Sequence, residues 1–319
     1  MVQHKLAQIK RLASSNAMLL LLVLVIIIVF GLIDPQFFRV SNLIQYLNSG
    51  VVLGFLTFGL CATIITGNFD YSIGAMTSFG TVMLALLMSN GISMIPALVI
   101  TFALMLFLGA VNGVIVGYLR IPGMLGTLGT SSLIYGISLV LTKGQAIGAN
   151  NEAYLFFGKG DLGTVPFGLI LLVVAFISSM LFLHKSKTGR RIYLVGTSPK
   201  AARFTGISYF KQVLIAHLYS SAMCFLGALI LGSKMSSGRA DVADTYILQA
   251  VTAAVFGGIS IKGGKGSISG ALLGVIVFTL LTSGFTMINV SQFYRQVATG
   301  LLLLITLFIR NYKIIFGKL

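Results

Sequence analysis

Ten apolar runs, each near the roughly 20 residues that carry a helix across a bilayer, recur along this chain of 319 residues, and they leave few folds open. They occupy 17–33, 43–66, 72–89, 92–119, 123–142, 166–183, 213–232, 246–261, 267–288 and 293–309. No single soluble core needs that much apolar surface. Composition agrees: 57% of residues are hydrophobic, 9% are charged and the mean hydropathy is +1.00, where a soluble domain carries about 25% charged residues. The pattern predicts an all-α polytopic integral membrane protein of about ten transmembrane helices, forming one domain over 1–319. The 37 glycines, set against five prolines and no tryptophan, fit helices packed backbone to backbone. The run at 17–33 is too long for a signal-peptide core and lacks a small-residue cleavage site, so it reads as an uncleaved first span.

The net charge of +16 does not indicate nucleic acid, because the bases are scattered between spans rather than gathered on one solvated face. They report topology instead. With the amino terminus in the cytoplasm, Lys5, Lys10, Arg11, Arg120, Lys262, Lys265, Arg310, Lys313, Lys318 and the bases of segment 184–211 fall inside, and Arg39, Lys143, Lys159, Lys234, Arg239 and Arg295 fall outside. Of the acids, only Asp70 falls on the inner side. This sorting predicts both termini in the cytoplasm; an eight-span chain with 43–89 as a broken or re-entrant pair is the alternative.

Two loops are long. Segment 143–165, placed outside, carries Glu152, Lys159 and Asp161. Segment 184–211, placed inside, holds a punctuated short helix: Ser198 as N-cap, Pro199 in the first turn, then Lys200, Ala201, Ala202, Arg203, Phe204 and Thr205, with Gly206 as terminator. A lipid-surface helix held by anionic headgroups is one reading. The compact apolar patch of Ala201, Ala202 and Phe204 favours a protein-docking element.

Gly109, Gly113 and Gly117 fall four residues apart, as do Gly266, Gly270 and Gly274, so each set strips side chains from one helix face and predicts a packing seam, within one subunit or between two. The glycine-rich run Gly257 to Gly266 fails as a phosphate loop, because Ile259 stands where the first glycine is required and Gly266 follows Lys265 in place of Ser or Thr. His4, His184 and His217 are far apart, and Cys61 and Cys224 both lie in apolar runs. No metal-ligand spacing or catalytic constellation emerges, so the chain reads as a non-enzyme with no metal and no cofactor of its own. Asp70, in Thr66-Gly-Asn-Phe-Asp70-Tyr-Ser72, is the one acid between two apolar stretches. A carboxyl there either serves a transport path or its gate, together with Thr66, Asn68, Phe69 and Ser72, or caps the following helix.

Laid out this way, the chain resembles the permease subunits of bacterial ABC importers for ribose, xylose and related monosaccharides. Gly67-Asn-Phe-Asp-Tyr-Ser-Ile-Gly74 is similar to that family's Gly-Gly-Ile-Asp-Leu-Ser-Val-Gly. Residues 196–207 are similar to its cytoplasmic Gly-x-Asn-x-x-Ala-Ala-x-x-Ser-Gly-Ile, and a third match runs over Val255-Phe-Gly-Gly-Ile-Ser-Ile-Lys-Gly-Gly-Lys-Gly266. Departures are Asn68 for glycine, Ser198 for asparagine, Pro199-Lys200 for an acidic stretch and Thr205 for serine.

The resemblance implies the ten-helix importer permease fold in a bacterial cytoplasmic membrane and a second permease subunit, identical or closely related. It also implies a cytoplasmic ABC ATPase that holds the ATP and Mg, and an external solute-binding protein. Residues 198–206 would be the helix that couples to the ATPase. Glu152, Asp161, Lys234, Arg239, Asp241 and Asp244 would be contacts for the binding protein. Importers of autoinducer-2, nucleosides or branched-chain amino acids share this architecture and stay open, and a secondary drug/metabolite-type carrier is the rival of another class.

Overall fold

The computed structural model describes residues 2–298 and positions 300, 301, 304 and 308, with side chains from residue 17 onward. Helix α1 (Val2–Ile33) ends at Asp34, whose carboxyl accepts from the Gln36 amide and starts a 3-10 turn (Pro35–Phe38). There follow α2 (Val40–Ser49), α3 (Val51–Ile65), α4 (Ile73–Ser89), α5 (Met94–Gly117), α6 (Gly123–Thr142), α7 (Glu152–Lys159) and α8 (Phe167–Met180). A π turn (Leu181–Lys185) leads into α9 (Lys187–Thr197), α10 (Pro199–Phe204), α11 (Tyr209–Met235), α12 (Tyr246–Phe256) and α13 (Ile268–Met287). Four two-residue strands complete the described elements: β1 (Ile147–Gly148) pairs antiparallel with β4 (Ser237–Gly238), and β2 (Asp161–Leu162) with β3 (Val165–Pro166).

Among the described residues, five helical segments are long and apolar enough to cross a membrane: α5, α6, α8 with its π turn, α11 and α13. The pair α2 and α3 makes a sixth candidate, bent by 46° at Gly50. Predicted runs 17–33, 72–89 and 246–261 appear as shorter apolar helices at Ala17–Ile33, Ile73–Ser89 and Tyr246–Phe256. Among the described residues, five helical segments, or six with the bent pair, are thus long and apolar enough for full spans, and the expected count of ten is not confirmed. The last of the shorter helices stops early because Gly257 caps it and Gly258 turns left-handed, at φ +97°. The predicted span 293–309 lies mostly outside the described residues, of which 292–298 are helical. The terminal bases Lys5, Lys10, Arg11, Arg310, Lys313 and Lys318 also lie outside what can be described of side chains.

The core is built around α3. All 15 of its residues are buried, and it has almost no amphipathic bias because every face meets protein. Helix α11 packs along α3, α4 and α5, and α13 closes against α1, α12 and α3. Both glycine tracks are spent inside the chain. A Cβ at Gly113 would sit 2.8 Å from the Leu214 α-carbon, and those at Gly109 and Gly117 would meet His217, Ser221, Phe210 and Val213, all on α11. On α13, Gly270 and Gly274 face the Gly257 and Ala253 carbonyls of α12. Gly266 is a correction: it precedes the helix, at φ +135° against Ile259, and Ser267 is the cap. Gly113→Leu is expected to abolish accumulation of folded protein, because overpacking against backbone costs about 1–3 kcal/mol or more. Gly129→Leu, with open space at its Cβ, should accumulate normally; fluorescence-detected size exclusion in detergent distinguishes them.

Candidate functional site: the junction of three glycine-bearing segments

Helix α3 stops at Ile65 because Thr66 turns its hydroxyl back to the Thr63 carbonyl (2.7 Å) and Gly67 adopts φ +85°. In the break that follows, Asp70 is 1% exposed. Its Oδ1 accepts from the Ser72 amide (3.0 Å) and the Ser72 hydroxyl (2.6 Å), and its Oδ2 accepts from the Ser220 hydroxyl (3.0 Å) on α11. The Ser72 Oγ in turn accepts from Asn112 Nδ2 (2.8 Å) on α5, and Thr130 on α6 donates to Asn112 Oδ1 (2.6 Å). Four helices are therefore tied by one buried polar chain at the start of α4. Both Asp70 oxygens are engaged in this brace by Ser72 and Ser220, with no Lys, Arg or His among those partners, while the N-cap of α4 is Ser72 itself.

The other residues of the predicted path set share this break. Asn68 exchanges hydrogen bonds with Tyr209 Oη at the start of α11 (3.0 and 3.3 Å). Phe69 packs on the core, with its backbone against Gly123 at the start of α6. Ser220, Asn112, Thr130 and Tyr209 were not singled out by sequence. Asn112 alone carried a signal, as an amide inside an apolar run.

Helix α9 delivers α10 to the same end of the molecule. The Ser198 side chain accepts from the Ala201 amide (3.2 Å) and Pro199 occupies the first turn, as the punctuation predicted. The faces differ from the expected patch. Ala202 is fully buried and seats α10 against the chain, whereas Phe204 is 92% exposed, with Lys200, Ala201, Arg203, Thr205 and Gly206 also exposed. Ala202 is therefore not part of the outward surface: one turn of helix cannot present Ala201, Ala202 and Phe204 together.

Three segments distant in sequence meet here. The Gly264 amide donates to the free Ile65 carbonyl at the end of α3 (2.9 Å). The Gly196 α-carbon lies directly against that same carbonyl, with room for no side chain, and a Cβ there would be 2.7 Å from the Gly264 nitrogen. A Cβ on Gly263 would lie 2.7 Å from the Gly67 backbone and 3.1 Å from the Gly196 oxygen. The Tyr193 hydroxyl on α9 donates to the Gly266 carbonyl (2.9 Å). The loop 257–266 closes on itself through Ser260 N to Lys265 O (3.0 Å) and Gly263 N to Ser260 O (2.9 Å). The Ser260, Gly263 and Gly264 amides are thus spent on the loop's own turn and on α3, and Lys262 and Lys265 are exposed.

At the opposite end of α11 lie Glu152, Asp161, Arg239, Asp241 and Asp244, all exposed. Arg239 and Asp241 pair at 3.2 Å. Burial, then the neighbouring Asp241, raise the Asp244 carboxyl above its ordinary value. Lys234 is a correction: its ammonium turns inward and donates to the Asn48 carbonyl (2.6 Å), where the bend at Gly50 leaves the end of α2 open to a cation. Loop 143–165 is no free tether either, since Tyr154 of α7 is fully buried against Gly232 of α11.

A mostly helical chain with several helices long and apolar enough to span a bilayer is a multi-pass membrane protein. It belongs to the family of branched-chain amino acid transport system permease components, whose profile matches residues 42–307. The chain is 29% identical over 288 residues to the ribose import permease protein RbsC of Bacillus subtilis, covering 90% of this chain and 89% of that one. It is 28% identical over 285 residues to RbsC of Escherichia coli K12 (88% and 89%). It is 27% identical over 293 residues to the autoinducer 2 import system permease protein LsrD of Escherichia coli HS (90% and 89%). No solved structure matches it.

Proposed function

We propose that this chain is the permease subunit of a binding-protein-dependent ABC importer, forming with a second permease subunit the path for a ribose-like monosaccharide. The similarity to two ribose import permeases over nearly the whole chain supports the solute class; the similarity to LsrD keeps autoinducer-2 as the second reading. ATP and Mg sit on a separate cytoplasmic ATPase, and an external binding protein delivers the solute to the end that bears Glu152, Asp161, Asp241 and Asp244. The membrane is the bacterial cytoplasmic membrane, with both termini inside.

The observation that carries the reading is α10: a capped helix held from below by Ala202 that presents Phe204 almost wholly to solvent. A rigid exposed aromatic on a seated helix is the anchor that a groove on another protein takes up. A secondary carrier has no use for it. Force on α10 passes through α9 to Gly196, and from there to the end of α3 and the Asp70 break, so ATPase closure can move the helices that line a path.

Phe204→Asp is expected to leave membrane insertion intact and to remove the ATPase subunit from the purified complex, with loss of uptake. Retention of both ATPase and uptake would show that α10 is not the contact.

A further inference from the structure

A cavity of about 470 Å³ opens where the π turn after α8 meets α9 and the start of α13. Met180 and Leu183 form its apolar wall; His184 and Arg190, with Ser267 and Ser269 at the start of α13, form its polar one. Its level in the membrane follows from those helices. The spanning segment that contains α8 ends at Lys185 and the one formed by α13 begins at Ile268, so the cavity sits at the depth of lipid headgroups.

The charges here are one-sided. Lys185, Lys187, Arg190 and Arg191 are all exposed, and neither segment 184–211 nor 257–270 contains an acid. Arg190 Nη1 donates to the Lys185 carbonyl (3.0 Å), which uses one of the five guanidinium N–H groups, and among the described residues no carboxylate pairs with it. His184 Nε2 accepts from the Ile268 amide (3.2 Å), so a neutral ring carries its proton on Nδ1 and keeps that N–H to donate. Along α8, Val173, Val174, Ile177 and Leu181 are each more than half exposed and recur at helical spacing. They form an apolar strip that leads to the Met180 and Leu183 wall.

A soluble anion would use the cations and leave the strip unexplained, whereas an uncharged lipid would use the strip and leave the cations unmatched. An amphiphile with a negative head uses both. A guanidinium grips phosphate oxygens through two parallel N–H groups, and a basic pocket between spans is where an anionic headgroup gains most. We infer that this cavity is a site for one anionic phospholipid, with its phosphate against Arg190 and the His184 N–H and an acyl chain along the exposed strip of α8. The bound lipid ties α9 to the first turn of α13, so that α9 is held near its start by the lipid and near its end by the contact of Gly196 with α3. The inference goes beyond the importer reading and is independent of the solute carried.

The test is native mass spectrometry of the full chain purified in detergent, titrated with dioleoyl phosphatidylglycerol or with phosphatidylcholine of the same acyl chains. The first phosphatidylglycerol is expected to bind about tenfold more tightly than phosphatidylcholine, the equivalent of roughly 1.4 kcal/mol, and Arg190→Gln is expected to remove that preference. Ser269→Asp should do the same without loss of fold, because an acid in the first turn of α13 suits the helix dipole yet repels a phosphate. Lys262→Gln removes one exposed charge at the same end of the molecule, outside the cavity lining, and should change nothing. None of these readouts depends on transport, so the importer reading stands or falls separately. Equal affinity for the two lipids overturns the site, as do equal losses in Arg190→Gln and Lys262→Gln, which would reveal only a diffuse basic surface. Displacement of phosphatidylglycerol by millimolar inorganic phosphate overturns the lipid assignment in favour of a soluble anion.

Discussion

Gly196→Ala is expected to stop transport-coupled ATP hydrolysis while the chain still inserts. The added methyl would occupy the space of the Ile65 carbonyl and crowd the Gly264 amide, both of them backbone atoms that cannot rotate away. Relief requires α9 to lift from α3, which also strains the 2.9 Å bond from Gly264 to Ile65. Overpacking of this kind costs about 1–3 kcal/mol. Because α10 begins at the residue after the Ser198 cap, the displacement is carried straight into α10. Solute-stimulated ATPase activity in proteoliposomes should fall at least about tenfold, the equivalent of roughly 1.4 kcal/mol. Gly136→Ala, with nothing near its Cβ, should be silent or slightly stabilising. Wild-type coupling in Gly196→Ala would mean that α9 and α3 move independently.

The second large effect concerns Asp70. Asparagine can keep all three contacts: its oxygen accepts from the Ser72 amide and hydroxyl, and its amide nitrogen donates to Ser220 in place of accepting. Alanine leaves the Ser72 N–H and the Ser72 and Ser220 hydroxyls without that acceptor. Each stranded buried donor costs about 1–3 kcal/mol, so Asp70→Ala should lose several kcal/mol and most of the folded protein. Asp70→Asn should fold, with near-normal transport. Thermal melting in detergent and uptake separate the two. A well-folded Asp70→Asn that does not transport would return Asp70 to the path or its gate.

Three levels of the molecule were legible to different degrees. The apolar runs, the cap at Ser198 with Pro199 behind it, and the glycine tracks on α5 and α13 are local: they follow from side-chain hydropathy, from φ restriction and from what a residue does to its own turn. For that reason the sequence by itself determined an all-helical membrane chain, its punctuated loop helix and its close-packed faces. It also determined which segments match the importer family, because those matches are runs of consecutive residues.

Tertiary structure decided what those features touch. Ala202 and Lys234 look outward in a one-dimensional reading, yet one seats α10 and the other neutralises the open end of α2. Run lengths did not show where the helices break, since Gly50 bends one run and Gly257 ends the helix in another. The junction of Gly67, Gly196 and Gly263 joins segments far apart in the chain, and nothing in any one of them specifies the other two.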